Sequence, residues 1–139
     1  MNTVDEGEGG GKGVHIYRFG PDVGRPITHY NSDFIMARIL RIAGSAPLGQ
    51  GDRDITIGCM HLGAGGSVGF HQATVPQLFL TVAGVGWVAG TDRVRRPIRQ
   101  YEAAFWERGE WHEAGSERGM TAIVIEGDGV VPRSFMPEA

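Results

Sequence analysis

Residues Gly65 to Gly84 read GGSVGFHQATVPQLFLTVAG, and the way this stretch alternates decides what kind of fold the chain adopts. From Gln77 onward, apolar and β-branched side chains follow one another without the three-to-four-residue apolar spacing of a helix, so the segment reads as a strand. Side chains of a strand point to alternate faces, which puts Gln77, Phe79 and Thr81 on one side and Leu78, Leu80 and Val82 on the other. A second stretch, YEAAFWERGEWHEAGS from Tyr101 to Ser116, carries His112 just after a glycine, as the first carries His71. With the Gln77 face turned into a barrel, its polar groups converge on His71 and His112. Such a small polar cluster in an apolar mouth is the usual form of a small-molecule site.

The same signature repeats along the chain. Short runs rich in β-branched and aromatic residues, punctuated by Gly, Pro, Asp and Ser, predict strands over residues 14–19, 34–42, 55–62, 67–71, 77–83, 86–88, 93–98, 103–106 and 120–126. Gly84-Val85-Gly86 reads as a hairpin turn and Thr91-Asp92 as the next, so this part reads as a compact meander. Residues 43–54, AGSAPLGQGDRD, read as the one long loop. No segment has a capped helical period, so little or no helix is expected. Many short strands at this spacing predict an all-β sandwich or barrel. Residues 1–13, glycine-rich and acidic, read as a disordered tail; residues 14–129 as one barrel domain; and residues 130–139, with Pro132 and Pro137, as an irregular tail.

Composition narrows the class. A length of 139 residues fits a single domain, and 23 glycines without a Gly-X-Y period fit many tight turns. Thirteen Lys and Arg against 16 Asp and Glu, a net charge of −3, argue against a basic nucleic-acid footprint. No apolar run is long enough to span a membrane, and none near the N-terminus reads as a signal peptide. Cys59 is the only cysteine, which excludes an internal disulfide framework and a cysteine-based zinc cluster. A soluble cytoplasmic protein is the resulting expectation.

Over residues 55–126 the sequence resembles the cupin superfamily. The first cupin motif is a glycine, five residues, His-x-His, three or four residues, a glutamate, six residues and a glycine. Gly65, His71 and Gly84 match it in spacing, while Ala73 stands at the second histidine and Gln77 at the glutamate. In the second motif Gly109 and His112 match, with Tyr101, Glu107 and Ser116 at the other three positions. The resemblance implies a double-stranded β-helix, or jelly-roll barrel, and a homodimer formed through the N-terminal strands. It implies a metal held at the positions of His71, Ala73, Gln77 and His112. Ala73 has no donor atom, so the surviving ligand set is His71, Gln77 and His112; imidazole suits Zn, Fe, Ni and Cu, and the divalent ion expected is Fe, Mn, Ni, Cu or Zn. No organic cofactor is expected.

Other residues carry two readings. Glu110 shares the face of His112 if the chain is extended there, and either completes the site as a general base or is a solvent-facing loop carboxylate. His61 is either a replacement ligand or a satisfied structural histidine, and Gln77 is either a ligand or a hydrogen-bond partner that fixes a histidine tautomer. Cys59 reads as a small buried hydrophobe, Phe79 as a pocket wall, and His15 and His29 as surface residues. Tyr17, Tyr30 and Tyr101 have no evident claim to face the pocket, which weakens a metal-free epimerase reading. Arg93, Arg95, Arg96 and Arg99 form either a solvated strand edge or an anion-binding run. Function therefore divides between a metal-dependent isomerase, lyase or dioxygenase acting on a small polar or carbonyl-bearing substrate, and a non-catalytic small-ligand-binding or sensing barrel that has lost its metal. A protein acting through its dimer surface is a third reading.

Overall fold

In the computed structural model, residues 13–44, 54–132 and 135–139 are described; the tail over residues 1–12 and most of the loop expected at residues 43–54 lie outside them. The described residues form ten strands: β1 Arg25–Ile27, β2 Phe34–Ile42, β3 Ile55–Leu62, β4 Ser67–Gln72, β5 Gln77–Gly84, β6 Gly86–Ala89, β7 Arg96–Ile98, β8 Ala103–Trp106, β9 Trp111–Gly115 and β10 Met120–Glu126. They make two antiparallel sheets, one of order β1-β2-β3-β10-β5-β8 and one of order β4-β9-β6-β7. Two 3-10 turns, Pro21–Val23 and His29–Asn31, precede β1 and β2 respectively. No described helix is long and apolar enough to cross a membrane.

The sheets face each other because each has one apolar side to bury. Met60, Leu62, Phe79 and Val124 of the larger sheet meet Val68, Ile98 and Ala114 of the smaller one, all nearly or fully buried. Burial of each large side chain here is worth roughly 1.5–3 kcal/mol. The strand-face reading of β5 holds: Gln77, Phe79 and Thr81 point inward.

Three expectations change. Residues 14–19 form no strand. They are followed by the Gly20-Pro21-Asp22-Val23-Gly24 turn, closed by the Gly24 N–H donating to the Pro21 carbonyl, and pair with none of the strands. Gly84-Val85-Gly86 is not a hairpin, since β5 pairs with β8 and β10 while β6 pairs with β7 and β9. It is a corner that carries the chain from one sheet to the other, and the expected meander is split between the sheets. Gly84 takes φ +77°, and a Cβ there would lie 2.3 Å from the Gly119 carbonyl oxygen. The strand expected at residues 93–98 starts only at Arg96, because Arg93 adopts a left-handed turn with φ 60°.

One irregularity aims the site. Between β4 and β9 the register runs Val68↔Ala114 and then His71↔His112, so β4 carries one extra residue. This bulge moves His71 directly opposite His112, where regular pairing would have put Phe70. Gly69 lies in the bulge. Its N–H donates to Ser32 Oγ (2.8 Å), and a Cβ on it would fall 1.6 Å from the carbonyl oxygen of Tyr30. Because that neighbour is backbone, it cannot swing aside. Gly69→Ala is expected to cost about 3 kcal/mol or more in urea unfolding, while Gly65→Ala, which meets no atom within 4 Å and is strained only by its φ of +78°, costs less.

Candidate functional site

His71 is the last residue but one of β4 and His112 the second residue of β9, and the bulged register brings their rings together with centroids 4.3 Å apart and planes tilted by 54°. The Nδ1–H of His71 donates to the Gly69 carbonyl at 2.7 Å. Since a carbonyl only accepts, that bond fixes the tautomer and leaves Nε2 as the acceptor. Tyr30 lies flat on the other face of His71, at 4.7 Å and 3°. Tyr30 and Asn31 hold left-handed backbone, φ 59° and 63°, a strain the surrounding hydrogen bonds maintain. Asp33 and Ser67 exchange two backbone hydrogen bonds beside it, so this segment covers the free edge of β4. The sequence offered no sign that Tyr30 reaches the histidines; only the fold brings it there.

Trp106 closes the row on the inner side, 4.6 Å from His112. His112 is 1% exposed, and among the described residues neither ring nitrogen reaches hydrogen-bond geometry with any group. Burial is the main reason its pKa falls from 6.5 to about 4, and the charge that His71 can carry adds to the fall. The Glu110 carbonyl acts the other way, but its strongest partner is the Ala73 N–H at 2.8 Å. His112 is therefore a neutral imidazole at physiological pH.

Gln77 starts β5, paired with Trp106 on one side and Glu126 on the other. Its Nε2 donates to Glu126 Oε2 at 2.7 Å, and the amide is nearly buried. Glu126 itself lines a cavity of about 640 Å³ together with Arg38, Thr56, Met36, Ile57 and Val124. Sequence reasoning missed both charged residues. The signal was strand parity: Glu126 shares a face with Met120, Ala122 and Val124, and Arg38 with Phe34 and Met36.

Other expected site residues lie elsewhere. Glu110 is exposed, in the turn before β9, and its Oε1 accepts the Glu107 N–H at 2.6 Å. The shared-face reading required an extended chain at Glu110, and β9 begins one residue later, at Trp111. His61 faces away from the core residues Met60 and Leu62, and its Nε2 meets the Phe19 carbonyl at 2.9 Å. Phe79 is core rather than pocket wall, edge-on to Trp106. Cys59 is buried, which pushes its thiol pKa up. Arg93 forms a fork with Glu113, Arg96 pairs with Asp92, and Arg95 stacks on Trp87.

A resident metal is tested by this donor set. His71, anchored through Nδ1, and His112, with unpartnered nitrogens, both suit a ligand role. Ala73 offers nothing, and Gln77 turns its amide nitrogen to Glu126. Among the described residues no three His, Cys, Asp or Glu side chains group to hold an ion. Two imidazoles fall short of the three protein ligands that an open catalytic centre employs.

No family model matches the sequence, and no curated protein matches it either. Solved structures do match in fold. A Cupin 2 conserved barrel domain protein from Salinispora arenicola is 13% identical with a TM-score of 0.62, covering 85% of this chain and 92% of its own. An uncharacterized protein with a double-stranded β-helix domain from Klebsiella pneumoniae is 13% identical at TM-score 0.60, covering 84% and 92%. A predicted oxalate decarboxylase from Thermotoga maritima is 17% identical at TM-score 0.58, covering 80% and 98%. The chain thus has the cupin fold, the double-stranded β-helix that the two motifs implied.

The buried imidazole makes stability depend on pH. The unfolded chain binds a proton at His112 below pH 6.5, the folded chain only below about 4. Stability is thus full above pH 6.5, falls as pH drops toward 4, and loses nothing more from this group below that. The loss is on the order of 2–3 kcal/mol by pH 4.5. Urea unfolding at pH 7.5 and 4.5 should show a smaller difference for His112→Phe than for the natural chain.

Proposed function

We propose that this cupin-fold chain binds a small polar molecule in the barrel mouth, directly and without a resident metal. The observation that carries the reading is the cavity of about 640 Å³, within the usual size range of ligand pockets, with apolar walls and a few polar groups. Gln77 holds the Glu126 carboxylate, Arg38 supplies a cation, and Ile27, Met36 and Val124 supply apolar wall. This favours the small-ligand-binding reading over the metal-dependent isomerase, lyase or dioxygenase, because the donor set supports only half of the implied centre.

A thermal-shift and calorimetric screen of small polar molecules tests the reading. Thr56→Trp places a large ring in the cavity from an exposed strand position. A ligand that raises the melting temperature of the natural chain should shift the Thr56→Trp variant little or not at all. Equal shifts in both would place binding elsewhere.

Elemental analysis separates the metal-free reading from its rival. Protein purified without chelator is expected to hold far less than one equivalent of Fe, Mn, Ni, Cu or Zn. The Ala73→His/Gln77→Glu double variant, which restores the two missing donors, should approach one equivalent. Near-stoichiometric metal in the natural chain that disappears in His71→Ala/His112→Ala would overturn the proposal.

A further inference from the structure

The cavity carries two opposite charges that do not neutralise each other. Arg38 projects from β2 opposite Gly58 and lines the cavity, and among the described residues its guanidinium has no ion-pair or hydrogen-bond partner. Glu126 lines the same cavity from the end of β10, and the only partner found for its carboxylate among the described residues is the neutral Gln77 amide. That bond takes Oε2 and leaves Oε1 available. Arg41 and Asp54, also on the lining, form an ion pair with each other and set a contrast. Met36, Ile57 and Val124 add apolar lining to the same cavity, and Thr56 and Gly58 of β3 pair with Glu126 and Arg38.

A guanidinium presents a fork of N–H donors that matches a carboxylate, and a carboxylate accepts strongly from an ammonium. In a partly enclosed apolar cleft such contacts are screened less than on an open surface. A ligand with a single charge would satisfy one of these groups and leave the other facing it unpaired.

We propose that the mouth selects a zwitterion with an apolar body, the chemistry of a free apolar amino acid: carboxylate on Arg38, ammonium on Glu126, side chain against Met36, Ile57 and Val124. The proposal rests on the reading of the mouth as the ligand site and adds the class of ligand.

Isothermal titration calorimetry on the full chain decides it. The probes are L-leucine and L-phenylalanine, their amine-free counterparts 4-methylpentanoate and 3-phenylpropanoate, and their carboxylate-free counterparts 3-methylbutylamine and 2-phenylethylamine. At least one amino acid should bind ten-fold or more tightly than both of its counterparts. Arg38→Met should erase its advantage over the amine, and Glu126→Gln its advantage over the acid, with melting temperatures of the free variants close to that of the natural chain. A singly charged probe that binds as tightly as its amino acid overturns the zwitterion. So does amino-acid binding that both variants leave unchanged. If none of these six probes binds while another molecule gives a shift that Thr56→Trp removes, the zwitterion fails and the mouth stands as the site. If no molecule gives a shift sensitive to Thr56→Trp, the reading of the mouth fails as well.

Discussion

Gly69 has no side chain, and the carbonyl oxygen of Tyr30 occupies the place where one would be. The rest of the site depends on that contact. It lets the segment around Tyr30 close over the edge strand β4, where Ser32 and Asp33 bond to Gly69 and Ser67. It also stabilises the bulge that turns His71 inward, and the Tyr30 ring then lies flat on the imidazole. A Cβ at this one position would push the covering segment away, expose the edge of β4 and release His71 from its stack. The left-handed backbone at Tyr30 and Asn31 is the local strain that this arrangement retains, held by contacts on both sides.

The row Tyr30, His71, His112 and Trp106 runs from an exposed ring to a core ring. Polarity falls along it. His71 is partly open and bonded to Gly69, whereas His112 is buried, and among the described residues neither of its ring nitrogens has a hydrogen-bond partner. The same burial keeps His112 neutral. Nearby, the Gln77–Glu126 bond puts a carboxylate on β10, one strand away from the position at which the cupin motif has its glutamate. The acid is present at this end of the barrel, though it faces the cavity rather than grouping with the histidines. Glu126 and Arg38 both line that cavity, and the Gln77 amide bonds the acid, while His71 and His112 are not part of the lining.

Much of the fold was legible because strands declare themselves locally. The limits of β2, β3, β8 and β10 follow from runs of apolar and β-branched residues ended by turn formers. Alternation correctly turned Gln77 inward. The misses share one cause, which is that each depended on a partner distant in sequence. Residues 14–19 have strand composition but enter no strand ladder. Gly84-Val85-Gly86 has hairpin length, yet its flanking strands join different sheets. Glu110 has the right parity relative to His112, but parity carries meaning only inside a strand.

The sequence by itself determined that this is an all-β barrel, that His71 and His112 stand at cupin-motif spacing, and that Ala73 and Gln77 replace two donors of the implied metal set. Those facts are local: composition, alternation and motif spacing. Tertiary structure alone decided the direct apposition of the two histidines, the Tyr30 cover, the Gln77–Glu126 bond and the unneutralised Arg38. The first three each require residues 41 to 49 positions apart to meet at hydrogen-bond or stacking distance. A register shift of one residue, or a chain that changes sheets, moves such contacts without altering any local pattern.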